Sequence, residues 1–279
     1  MNKITFSSAD KMSSSTCHTV LLNTGVHMPL LGLGTDKLVS PDIVHQAVDA
    51  ALAAGYRAFD SATVYQNESA LGQALKKLLP KYWFDSRGYF HNQLDVGYID
   101  LYLIHWPGTQ NRSVSDQRNS GNRAQSWAAL EELHAQGTLK AIGVSNYTPA
   151  HMRELMQSCK VPPALLQVEF HPQLCQDELR SVCKEYGVCF QAYSSLGRGE
   201  LLHGPVVLEV AKNCGRSPAQ VLLRWAVQQG VAVLPKSSNP DRIRENAEIF
   251  DFSISDSDMD RLSALECSHR YCWDPSQVV

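Results

Sequence analysis

The stretch Gly55-Tyr56-Arg57-Ala58-Phe59-Asp60-Ser61-Ala62, running on to Tyr65-Gln66-Asn67-Glu68, decides how the rest of the chain is read. Gly55 follows an amphipathic stretch over 41–54 in the way a C-cap glycine follows a helix. A short apolar run comes next, with the carboxylate of Asp60 near its end, and a second helical stretch covers 68–79. Helix, glycine, short strand and helix make one repeat of a parallel sheet covered by helices.

The same pattern extends in both directions. Strands are expected at 29–35, 58–62, 100–105, 141–146, 165–170, 189–195 and 231–236, which makes seven. Helices are expected at 41–54, 68–79, 124–136, 149–158, 176–186, 205–214, 218–229, 240–249 and 256–265. Thr148-Pro149, Ser217-Pro218 and Asn239-Pro240 each set an N-cap residue before a first-turn proline, and Gly137 and Gly230 close helices. The polar stretch 109–123 reads as a loop overhanging a site, and 20–26 as an opening hairpin. Residues 1–19 are Ser-rich, lack the apolar run of a signal peptide, and read as a disordered extension before a single domain over 20–279.

A chain of 279 residues can form one barrel of about 250 residues or two smaller domains. No Gly-x-Gly-x-x-Gly follows a strand, so a dinucleotide-binding doubly wound sheet lacks its phosphate loop and the barrel is favoured. Lys+Arg 25 against Asp+Glu 28 gives net charge −3, with no basic surplus for nucleic acid or an anionic membrane. The 8 cysteines show no C-x-x-C pair or zinc spacing, which points to reduced thiols, a cytoplasmic protein and no metal.

The ends of the expected strands carry Asp60, His105, Ser145-Asn146, Glu169-His171, Tyr193-Ser194 and Lys236-Ser237. Barrel strands are otherwise apolar, and barrel enzymes gather their active sites at the C-terminal strand ends, so these residues mark a catalytic mouth.

The segment 55–68 resembles the first signature of the aldo-keto reductases. Asp100-Leu101-Tyr102-Leu103-Ile104-His105-Trp106-Pro107, Gly143-Val144-Ser145-Asn146, Gln167-Val168-Glu169-Phe170-His171-Pro172, Gln191-Ala192-Tyr193-Ser194 and Leu234-Pro235-Lys236-Ser237 with Arg242 to Asn246 are similar to later ones, over about 19 to 275. The resemblance implies an α/β fold of the (β/α)8 TIM type, with the hairpin plugging its bottom. It implies NADPH-dependent reduction of aldehydes or small ketones by a monomer. Tyr65 would donate the proton, an Asp–Lys pair would tune its phenol with Asp60 as the Asp, and His105 would orient the carbonyl beside Trp106. Tyr193 would stack on the nicotinamide, while Ser145, Asn146 and Gln167 would hold its carboxamide. Lys236, Ser237 and Arg242 resemble the 2′-phosphate site, and Ser194, Leu196 and Asn246 complete the cofactor set.

One departure stands out. The family's lysine, at the end of the third strand in a run of the type Ile-Thr-Ser-Lys, has no counterpart between Leu79 and Asp100. Residues 80–99 are too few for a strand, a helix and two loops, and 82–90 show no helical period, so the third βα unit reads as largely deleted. That leaves a seven-stranded ring or an unpaired edge, and Lys76, Lys77 and Lys81 belong to a helix outside the barrel. Three readings follow: a reductase using another cation, an NADPH-binding protein with little turnover, or a shortened isoform of an enzyme. Trp106, Phe59 and Tyr65, with Tyr271 and Trp273 of a short tail, are expected to line an apolar pocket for small aldehydes, dicarbonyls or sugar-derived carbonyls.

Overall fold

The computed structural model describes residues 2–7, 18–82 and 98–279. The strands are β1 (Asn2–Ser7), β2 (Thr19–Leu21), β3 (His27–Pro29), β4 (Leu33–Gly34), β5 (Ala58–Ala62), β6 (Ile99–Ile104), β7 (Leu139–Ser145), β8 (Leu165–Glu169), β9 (Cys189–Tyr193) and β10 (Ala232–Val233). The helices are α1 (Pro41–Ala53), α2 (Glu68–Tyr82), α3 (Arg118–Ala135), α4 (Pro149–Ser158), α5 (Asp177–Tyr186), α6 (Pro205–Cys214), α7 (Pro218–Gln228), α8 (Pro240–Glu245) and α9 (Asp256–Ser263). Their alternation builds a (β/α)8-type barrel from one sheet of order β10-β9-β8-β7-β6-β1-β5-β4. The ring closes where Leu31 bridges Val233 in parallel and the Gly32 N–H donates to the Val233 carbonyl at 3.0 Å.

The third place in this ring corrects two expectations. It is taken by β1, which runs antiparallel to both neighbours: Lys3 lies opposite Ala62 of β5 and opposite Leu103 of β6. Asn2–Ser7 is therefore a strand inside the sheet, where a disordered extension over 1–19 was expected; residues 8–17 lie outside the described residues. Neither the seven-stranded ring nor the unpaired edge occurs, because β1 takes up the facing backbone groups of β5 and β6 that would otherwise be buried without partners. The expected deletion of the third βα unit falls largely on residues 83–97, also outside those described.

Local sequence explains most of the other elements. Thr148 and Ser217 form capping boxes with His151 and Gln220, and Asn239 accepts from the N–H groups of Asp241 and Arg242. The hairpin β2–β3 turns through Gly25 at φ 81° and inserts Leu22 and Met28 among Leu101, Leu103, Ala141, Leu165 and Ala232. Those strand residues face the barrel interior, so the hairpin plugs it as the resemblance implied. On the outer face, Trp225 of α7 stacks on Phe170 with ring centroids 4.8 Å apart, inside the main helix–strand core.

Helix α3 begins at Arg118, six residues before the expected start at 124, within the stretch taken as a loop. Its first turns hide polar groups rather than apolar ones. Asn119 accepts from the Thr109 N–H and donates to the carbonyls of Ser113 and Val114, while buried Arg123 pairs with Glu154 at 2.7 Å. An inward face made of polar residues leaves no apolar period to read.

Candidate functional site

Strand direction puts the expected residues in one place. Asp60 on β5 is 3% exposed; the chain leaves that strand through a tight 3-10 turn, Thr63–Tyr65, and Gln66 at φ 56°, which set Tyr65 half-buried over the mouth. His105 follows β6, Ser145 ends β7, Gln167 lies on β8 and Tyr193 ends β9. The rings of Tyr65 and His105 meet edge to face with centroids 5.9 Å apart. Because β1 is antiparallel, its chain start lies at the same end of the barrel. That brings in a side chain the sequence reading overlooked: Lys3, 3% exposed.

Lys3 Nζ lies 3.7 Å from Asp60 Oδ1, donates to Gln167 Oε1, and stands 5.1 Å from the ring centroid of Tyr193 and 6.0 Å from that of Tyr65. Gln167 Nε2 donates to Asp60 Oδ2 at 3.1 Å and to Gln191 Oε1 at 3.0 Å. The amide expected to hold a carboxamide is thus engaged at both ends in a buried charge network. Asn146, at φ 63°, accepts from the Tyr193 hydroxyl at 2.6 Å and donates to the His105 carbonyl at 2.9 Å and to Ser145 Oγ at 3.2 Å. This net fixes the Tyr193 ring across the mouth. A clue to Lys3 did exist: Asn2-Lys3-Ile4-Thr5-Phe6-Ser7 alternates polar and apolar residues at its end, which is a strand pattern.

The electrostatics follow from burial. Desolvation, and after it the charge of Asp60, pushes the Tyr65 phenol well above its usual 10, so the hydroxyl carries its proton. Burial, reinforced by the Lys3 cation, depresses the His105 imidazole to about 2, and its Nδ1 has no hydrogen-bond partner. His105 is therefore neutral in the folded protein over the working range. The unfolded chain takes up a proton near 6.5 that the folded chain refuses, so stability falls as pH drops through that value. Denaturant titration of the His105→Gln variant at about pH 7.5 and about pH 5 should remove roughly 2 kcal/mol of the acid destabilisation seen in the parent. Equal losses in both proteins would mean that His105 charges freely in the fold.

The other side of the mouth is shaped by the tail. Glu169 and His171 are fully buried and paired at 3.0 Å, and Glu169 accepts from the backbone N–H of Tyr271 at 2.6 Å and of Cys272 at 3.2 Å. Burial would raise this carboxyl, but the bonds from His171 and Tyr271 outweigh it and hold it below the ordinary range. The pair thus anchors the tail over β9, where Cys272 Sγ meets Ser194 Oγ at 3.3 Å. Trp106 is half-buried at the rim and Leu196 packs against the core. One pocket expectation fails: Phe59 is 2% exposed in the helix-facing core, because it alternates with inward-facing Asp60. Trp273 of the tail is 72% exposed.

Beyond β10, Lys236 and Arg242 are exposed, Ser237 is half-buried, and Asn246 is buried behind α8. Ser237 Oγ accepts from the Asn239 N–H at 3.0 Å, which shapes the turn into α8. Lys236 and Arg242 form no ion pair among the described residues, whereas neighbouring Arg244 is held by Asp241.

Comparison with known proteins agrees with this geometry. The model of the Aldo/keto reductase family matches residues 30–88 and 90–266. Glyoxal reductase of Bacillus subtilis (strain 168) is 38% identical over 286 residues, covering 96% of this chain and all of that protein. Aldo-keto reductase family 1 member A1 of Mus musculus is 39% identical over 298 residues, covering 92% of this chain and 91% of that one. Among solved structures, an aldo/keto reductase from Brucella melitensis superposes with a TM-score of 0.78 at 36% identity, covering 90% of this chain and all of that one. The barrel, the mouth and these likenesses together make the chain a member of the aldo/keto reductase family of oxidoreductases.

Proposed function

We propose that the chain reduces small aldehydes and ketones with NADPH, and that Tyr65 delivers the proton to the carbonyl oxygen. The observation that carries this reading is the meeting of a protonated Tyr65 phenol, a neutral His105 and the buried Asp60 at one mouth. Bound NADPH would supply the hydride to the carbonyl carbon. The C=O π pair then moves to oxygen, Tyr65 Oη gives that oxygen its proton, and the phenolate left behind is reprotonated from water. The neutral His105 ring, packed edge to face against Tyr65, can offer an imidazole N–H to the carbonyl oxygen beside the phenol. Tyr193, fixed by its bond to Asn146, offers a flat aromatic wall, and Ser145 with Asn146 offers polar atoms for a carboxamide.

NADPH is favoured over NADH by Lys236, Ser237 and Arg242, which put two exposed cations and a hydroxyl beside the start of α8. Lys236→Ala should raise the Kd for NADPH by tenfold or so and leave that for NADH nearly unchanged, since about 1.4 kcal/mol is a modest loss for one phosphate contact. An unchanged preference would move the phosphate site elsewhere. The half-buried Trp106 and the tail at the mouth suit a compact carbonyl substrate. The described cysteines are free thiols, which suits the cytoplasmic setting we propose, and no described helix is long and apolar enough to cross a membrane.

The deciding experiment titrates the protein with NADPH by quenching of Trp fluorescence, then adds 4-nitrobenzaldehyde and follows cofactor absorbance. Binding with turnover supports the reductase reading. Binding without turnover for any of a panel of aldehydes overturns it.

A further inference from the structure

We propose that the chain's own first strand completes this barrel and that Lys3, carried on it, supplies the cation through which Asp60 acts on Tyr65. The inference rests on the reductase reading for its activity, but its structural half stands independently. A parallel strand from the third βα unit would bring its last residue to the mouth. An antiparallel strand brings its beginning there, so only residues near the start of β1 can reach the catalytic layer. Lys3 is the residue so placed: it lies opposite Ala62, two positions beyond Asp60 on the same face of β5.

The surroundings of Lys3 fit a cation at work. Its ammonium stands 3.7 Å from Asp60, bonds Gln167, and lies between the rings of Tyr65 and Tyr193. The groups facing Tyr65 are Asp60 from β5, Asp36 following β4, Tyr193 from β9, Cys272 from the tail and His105 following β6. Each anionic group in that set holds the proton on the phenol more tightly, and none loosens it. Burial first and Asp60 second make Tyr65 a poorer acid, and a nearby positive charge offsets both, a charge that neutral His105 does not carry. Lys3 is the cation within reach among the described residues. It is a positioning residue: it acts through Tyr65 and Asp60.

The same arrangement makes activity conditional on a strand held by backbone pairing to β5 and β6. Amide hydrogen exchange on the intact protein should show Asn2–Ser7 protected, at rates comparable with those of β6. Full exchange of these amides within seconds would overturn the strand insertion whatever the enzyme does. Lys3→Met should lower kcat by ten- to a hundredfold with KM and NADPH affinity little changed, and should move the alkaline limb of the kcat/KM profile upward by about 1 to 3 pH units. Lys3→Arg keeps the charge and should recover most of the parent profile.

A Lys3→Met protein that is folded, binds NADPH and keeps the parent kcat and pH profile would reduce Lys3 to a filler and overturn the proposal. If Lys3→Met is poorly folded, the pair is read by melting. The double variant Lys3→Met with Asp60→Asn should melt above Asp60→Asn alone, because it removes a cation left without its carboxylate. Additive losses would overturn the pairing. A parent protein with protected Asn2–Ser7 but no turnover on any aldehyde would sink the reductase reading while leaving the inserted strand standing.

Discussion

Replacement of Tyr65 by Phe is expected to lower kcat for aldehyde reduction by 10²- to 10⁴-fold, the usual contribution of a positioned general acid, and to leave the Kd for NADPH within about twofold. The substitution removes one oxygen and keeps the ring, so the edge contact with His105 survives. The ring is half-buried on a turn, not in the core, and its hydroxyl takes part in no hydrogen bond with the chain among those described, so the fold should be undisturbed. A fall in kcat with unchanged KM is the sign of a group that acts only in the transition state. Turnover equal to the parent's would end the assignment of Tyr65 as proton donor, and would shift attention to His105 and a bound water.

Asp60→Asn is expected to cost about 3 to 5 kcal/mol of folding stability, the penalty for breaking one half of a buried ion pair. The side chains of Lys3 and Asp60 are each only 4% exposed, so solvent cannot take over the role of the lost charge. Asn has one acceptor oxygen where Asp60 presents two, to Lys3 and to Gln167 Nε2, so one of these donors is left facing an NH₂ group in a site closed to water. Activity should fall with stability, since a displaced Lys3 and Gln167 disturb the wall beside Tyr65 and Tyr193. Urea unfolding of the two proteins at neutral pH measures the difference. A loss below about 1 kcal/mol would show that the lysine finds solvent or another partner, and that the network is looser than its geometry indicates.

The mouth shows which parts of a site sequence reasoning reaches. Asp60, His105, Ser145, Asn146 and Tyr193 were legible because each is a polar residue closing an apolar run, and parallel strands deliver all such ends to one rim. Lys3 was not legible from that rule, because it sits at the start of a strand of the opposite direction. Gln167 was identified as a site residue, but its engagement by Lys3, Asp60 and Gln191 depends on three strands at once. The tail anchor on Glu169 was hidden for a similar reason: its partners Tyr271 and Cys272 lie 102 and 103 residues further along the chain.

The sequence by itself determined what is local. Periods of two and 3.6 residues set the seven parallel strands and their helices, capping residues such as Thr148, Ser217 and Asn239 set where helices begin, and the polar strand ends set where the site lies. Tertiary structure alone decided the eighth strand. Six residues with a strand pattern can pair with any open edge, and their direction and register are chosen only when β5 and β6 leave unpaired backbone facing each other across a gap one strand wide. Burial of that backbone demands a partner, and the partner that docks brings the barrel its buried lysine.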